Sequence, residues 1–219
     1  MSDIRYSFVP VRTFLADSEE SLVSHGRGED KTVAQQYDQI SERHAEFIAA
    51  QHIFFVATAA RDGRVNVSPK GLDSLQVLGP NRVVWLNGTG SGNETAAHLR
   101  DINRMTIMFC SFERQPLILR LYGTATEVQP DQPEWDELAG LFPPMLGARQ
   151  VYDMHVELVQ TSCGYGVPFL EFVEDRSLMA QWADKKGPDG LEAYHRDKNL
   201  MSIDGFPTGL RVPASEQLA

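Results

Sequence analysis

The sequence predicts a mainly β protein: antiparallel strands, about six of them, curled into a small closed or partly closed barrel with helices at its periphery. Three observations carry this reading. Short β-branched and aromatic runs recur from residue 53 to residue 161. Most are joined by links of turn length, which only antiparallel neighbours can use. One strand-to-strand link alone is long enough for a crossover helix of ordinary size, and a single helix filling one gap suits a small barrel.

In chain order, Gln35–Gln51 places Tyr37, Ile40, His44, Phe47 and Ile48 at spacings of three and four, which predicts a helix. Ile53–Ala59 is a β-branched and aromatic strand. Asp62-Gly63 is a hairpin turn, and Arg64–Lys70 is the returning strand. There Val65 and Val67 alternate with Asn66 and Ser68. Pro69 has no N–H for a ladder, so the strand ends or meets an edge at that point. Leu72–Leu78 is a candidate short strand, Gly79-Pro80-Asn81 a turn, and Arg82–Asn87 a strand. Gly92–Asn103 reads as a helix. Met105–Phe112 and Leu117–Val128 form a second hairpin, with Gly123 marking a bulge or a close approach. Pro133–Phe142 is a short helix that Pro143-Pro144 stops. Val151–Thr161 is the last clear strand. The turn Cys163–Pro168 leads into Phe169–Val173, and helical segments Ser177–Lys186 and Leu191–Asn199 flank Gly187-Pro188.

The two ends differ from this pattern. Ser18–Asp30 is rich in Ser, Glu, Gly and Asp and poor in large apolar residues, which predicts an arm that is flexible or orders on a partner. Met201–Ala219 has little periodicity. The expected organisation is an extension over residues 1–34, one domain over 35–210 and a tail over 211–219.

The 219 residues are 42% hydrophobic and 23% charged, enough to fill a sizeable core. A formal charge of −10 argues against sequence-independent nucleic-acid binding and against an anionic membrane surface. A local cation cluster can still hold an anionic cofactor. No apolar run is long enough for a membrane helix, and no basic start precedes an apolar stretch, so a cytoplasmic protein is expected. Cys110 and Cys163 have no metal spacing and are expected as reduced thiols. The six histidines show no ligand spacing, so no metal site is expected.

Two stretches carry the candidate chemistry. Val65–Gly71 offers Lys70 at a strand end, with Arg64 on the same face by period-two counting. Gly88–Asn93 follows a strand and opens a helix, so its amides can face an anion while Ser91 and Asn93 donate side-chain hydrogen bonds. The alternative is a plain glycine-permitted turn and cap. A dinucleotide fingerprint is disfavoured, because Asn93 stands where its third glycine belongs and the preceding strands form a hairpin. Trp85, Phe109 and Phe112 could wall a flat ligand or simply pack in the core. Tyr165, between two glycines in a turn, is a candidate ligand contact.

Ile53–Gly71, with Val65-Asn66-Val67-Ser68-Pro69-Lys70-Gly71, resembles the pyridoxamine 5′-phosphate oxidase-related proteins, which are FMN-binding split barrels. Ser91-Gly92-Asn93-Glu94-Thr95, Met108-Phe109-Cys110, Leu119–Gly123 and Ser162–Pro168 fit the same subgroup in order. The resemblance implies an antiparallel six-stranded split barrel, and a homodimer with FMN at the subunit interface. It implies hydride transfer through flavin to or from a small molecule. By position, Arg64, Asn66, Val67, Ser68 and Lys70 would line FMN, and Ser91, Gly92 and Asn93 would form the phosphate-side turn. Tyr165 would reach the flavin from the other subunit. No catalytic residue is assigned. The family also contains deazaflavin- and haem-binding members, so a non-catalytic binding protein is the alternative.

The sequence departs from the true pyridoxamine phosphate oxidases. Gly92-Asn93 stands where they carry a basic pair, and Tyr165–Pro168 stands where they carry a late Trp and Arg. A vitamin B6 phosphate is therefore not the expected substrate. Residues 1–32 have no counterpart in the resemblance. Either translation starts near Val33 or the arm is a private extension.

Overall fold

A computed structural model describes residues 34–212. Of the two units into which the chain divides, Met1–Asp30 and Lys31–Ala219, only the second is described. All but Ala34 of the predicted arm over 1–34, and all but Arg211 and Val212 of the tail over 211–219, lie outside the described residues.

The elements are β1 (Gln35–Tyr37), α1 (Glu42–Ala49), β2 (Phe54–Thr58), β3 (Asn66–Lys70), β4 (Leu75–Gly79), β5 (Arg82–Gly88), α2 (Glu94–Asp101), β6 (Met105–Cys110), β7 (Ile118–Val128), α3 (Trp135–Ala139), β8 (Ala148–Ser162) and α4 (Leu178–Lys198). One sheet of eight antiparallel strands runs β3-β2-β6-β7-β8-β5-β4, with β1 added on β8. Its two edges, β3 and β4, are consecutive in sequence. The link Gly71–Ser74 joins them with both Leu72 (φ 62°) and Asp73 (φ 49°) left-handed. The sheet therefore curls until its edges are neighbours, yet they share no ladder. That gap is the split of the barrel.

The count is eight strands rather than about six, and the first difference has a clear cause. The helix expected from Gln35 begins only at Glu42, because Ser41 caps it. Ser41 Oγ accepts from the His44 N–H (3.2 Å), and His44 Nδ1 accepts from the Ser41 N–H (3.2 Å). Ahead of that cap the chain is extended and pairs Gln35–Tyr37 with Val159–Thr161. β8 likewise starts three residues earlier than Val151, at Ala148, because its first turn pairs with Gly88 and Asn87 on β5.

Inside the barrel, Phe54, Val56, Val83, Trp85, Ile107, Phe109, Leu119, Leu121, Tyr152 and Met154 form one apolar cluster. Trp85 stacks on Tyr152 at 4.9 Å between centroids and meets Phe54 edge-on. Deleting a buried aromatic of this size costs about 3–5 kcal/mol. β5 is buried on both faces: Val83 and Trp85 enter the barrel, while Val84 and Leu86 pack under α3 with Leu138 and Phe142. This is why its sequence reads as continuously apolar rather than alternating. Gly123 sits at a register shift between β7 and β8. A Cβ there would lie 1.9 Å from the His155 carbonyl oxygen, so only glycine fits.

Candidate functional site

β3 alternates so that Asn66, Ser68 and Lys70 turn to one face, while Val67 and Pro69 are exposed on the other. The inward face meets the glycine-rich loop that opens α2. Together they line a narrow polar cleft with Asn66, Ser68, Lys70, Trp85, Asn87, Gly92, Asn93, Glu94, Thr95, Arg149 and Tyr152. Two stretches separated by a β-hairpin in sequence thus share one wall-to-wall site.

Lys70, half-buried at the end of β3, turns inward. Its Nζ lies 5.1 Å above the Trp85 ring. Burial lowers its pKa to about 8, assisted by the charge of Arg149 and opposed by Glu94. Beneath it Ser68 donates to Asn66 Oδ1 (2.9 Å), and Asn66 Nδ2 reaches Thr58 and Thr95 hydroxyls at 3.4 Å each. Thr58 in turn meets His98 Nδ1 at 3.0 Å in the interior.

The loop is shaped from behind by Arg149, which is 3% exposed. Its guanidinium donates to Gly92 O (2.7 Å), Gly90 O (3.2 Å), Asn93 Oδ1 (3.2 Å) and Gln150 Oε1 (3.0 Å). Asn199, just after α4, adds bonds to Gly90 O (2.9 Å) and Asn93 Oδ1 (2.6 Å). With its carbonyls held inside, the loop has a fixed path. Arg149 also separates the cleft from a second hollow lined by Ala148, His195, Leu210 and Arg211. There Arg211 is already paired with Asp131 at 2.7 Å. Thr89 gives its one hydroxyl proton to Gly147 O (2.7 Å), so His195 Nε2 is the donor to Thr89 Oγ1 (2.8 Å). Burial, with help from Arg149, lowers the His195 pKa to about 4, so the ring is neutral at pH 7.

Of the residues expected at the site, Asn66, Ser68, Lys70, Gly92 and Asn93 line this cleft. Arg64 does not: it precedes β3, and both its N–H (2.7 Å) and its guanidinium bind the Asp204 carboxylate. Val67 is 62% exposed on the opposite face. Ser91 is exposed on the loop, and Tyr165 is 68% exposed in the turn after β8. Asn93 lines the cleft, but its side-chain donor is spent: Nδ2 donates to Lys198 O (2.8 Å) and Met201 O (3.1 Å). The end of α4 and the first residue of the aperiodic tail have captured it. Trp85 serves both core and cleft, whereas Phe109 is core alone. Cys110 and Cys163 are free.

Sequence reasoning missed Arg149, Glu94, Asn199 and Tyr152. Arg149 and Asn199 act on the loop from 56 and 109 positions away, which no local pattern reveals. Glu94 stood inside the quoted motif without a role. Among the described residues, no group of three or more His, Cys, Asp or Glu side chains could hold a metal ion, and no helix is long and apolar enough to cross a membrane.

Fold and cleft define a class: an antiparallel split-barrel protein with a half-buried lysine facing a glycine-rich helix start. The particular family follows from comparison with known proteins. Residues 40–163 match the family model described as pyridoxamine 5′-phosphate oxidase. The pyridoxamine 5′-phosphate oxidase family protein UstO of Aspergillus flavus is 36% identical over 192 residues, spanning 78% of this chain and 76% of that protein. The chain belongs to the pyridoxamine 5′-phosphate oxidase family. Solved structures similar in part include LDB0262 of Lactobacillus delbrueckii (18% identity, TM-score 0.46, 56% of this chain and 94% of that one). Another is HupZ of Group A Streptococcus (23% identity, TM-score 0.44, 54% of this chain and 91% of that one).

Proposed function

We propose that the protein is an FMN-dependent oxidoreductase that passes a hydride to or from a small molecule. One observation carries the proposal: the inward face of β3 and the glycine-rich loop line a single cleft floored by Trp85. The donor set fits a polar, anionic, ring-bearing ligand. Asn66 supplies a neutral donor and Ser68 a hydroxyl oxygen, Lys70 supplies a cation, and family membership supplies the expectation of flavin. Bound flavin would accept or donate the hydride. The chain's own part is to hold and orient the ring along β3 and to place Lys70, close to its titration point at neutral pH, beside it.

A homodimer belongs to the same proposal. Val65 (72% exposed) and Val67 (62%) cover the outer face of the β3 hairpin, and Tyr165, Phe169 and Val173 (85%) line an extended segment after β8. Apolar groups so exposed and so close in type favour a second copy. A cytoplasmic location is part of the proposal too, supported by the free thiols of Cys110 and Cys163.

The test is the absorption spectrum of the purified protein, followed by release and mass identification of the chromophore. Flavin bands that bleach with dithionite, and a released mass of FMN, are expected. A haem Soret band, a deazaflavin mass, or a colourless protein that ignores added FMN would overturn the reading. Flavin bound without turnover across common reductants and acceptors would reduce the protein to a flavin carrier.

A further inference from the structure

Glu94 is the one acidic side chain among those lining the cleft. Its carboxylate bridges two backbone amides, one at the start of α2 and one in the segment after α4: Oε2 accepts from the Asn93 N–H (3.0 Å) and Oε1 from the Ile203 N–H (3.4 Å). A carboxylate held between backbone amides beside a helix start is doing what a ligand's phosphate would do there. It does so where the ordinary cap is lost: Asn93 makes no side-chain cap bond, its Oδ1 accepting instead from Arg149 (3.2 Å) and Asn199 (2.6 Å). The family's basic pair is replaced by Gly92-Asn93, so no cationic side chain of the loop itself draws an anion in.

We propose that Glu94 determines which flavins this protein accepts, its carboxylate occupying the seat of the ligand's phosphate so that a phosphorylated tail must displace it. This rests on the flavin reading above. Lys70 and Arg149 attract a phosphate into the cleft, and Glu94 opposes it at the last step. The ring and ribityl chain are untouched by this contest. The site thus takes riboflavin nearly as well as FMN, and the discrimination between them is set by one side chain.

The experiment titrates wild type, Glu94→Gln and Glu94→Ala with riboflavin and with FMN, following flavin fluorescence. Wild type is expected to bind the two within about threefold of each other, and both variants to bind FMN about tenfold tighter, the scale of one charge at a partly buried helix terminus. Riboflavin affinity is expected to stay within about twofold, since no phosphate is involved. A wild type that prefers FMN over riboflavin a hundredfold overturns the proposal without any variant. So does an FMN-to-riboflavin ratio that neither variant changes; in both cases the flavin reading stands. If no flavin binds to any of the three proteins, the flavin reading itself falls and takes this inference with it.

Discussion

Replacing Lys70 by methionine separates stability from function in a way the cleft makes calculable. Methionine keeps the length of the side chain over Trp85 and removes the ammonium. Burial has pulled that ammonium from 10.5 to about 8, and a fall of this size corresponds to about 3 kcal/mol against the charged form at neutral pH. The sign follows from linkage. Between pH 8 and 10.5 the unfolded chain holds a proton on Lys70 that the folded chain has released, so wild-type stability rises with pH through that window. Below pH 8 both states are protonated and the penalty is fully present. Loss of the cation–ring contact takes back about 1 kcal/mol. Lys70→Met is therefore expected to gain about 2 kcal/mol at pH 7, or roughly 4–8 °C in melting temperature for a chain of this size. The gain fades toward pH 10.5 as wild type catches up. Urea denaturation of both proteins from pH 6 to 10.5, followed by circular dichroism, reads this directly. A variant that is less stable at pH 7, or a difference that does not shrink with pH, would refute the placement of Lys70 as a desolvated cation. The same variant is expected to lose at least tenfold in FMN affinity.

Arg149→Met removes the donors that hold Gly90 O, Gly92 O and Asn93 Oδ1, and is expected to cost about 3 kcal/mol in urea unfolding. Because Arg149 also depresses Lys70 and His195, both are expected to titrate at higher pH in that variant, which NMR of the His195 ring can follow. Gly123→Ala would force a methyl against the His155 carbonyl and is expected to destabilise by about 3 kcal/mol; an unchanged melting temperature would contradict the tight bulge. Val67→Asp puts a charge on the exposed face of β3 and is expected to yield a monomer by analytical ultracentrifugation while the isolated fold melts within about 2 °C of wild type.

The sequence by itself determined the barrel and half of the cleft. Hairpin turns, alternation and Gly123 are local signals. The parity of Asn66, Ser68 and Lys70 followed from period two alone, and the short links dictated antiparallel order. The tertiary structure decided the other half. Whether the loop's amides are free depends on which distant groups occupy its carbonyls and side chains. Arg149 and Asn199 hold the loop from elements far along the chain, and the tail draws Asn93 away. Asp204 claims Arg64 across 140 residues. Such competition between partners is settled by proximity in space, and a period or a motif carries no record of it.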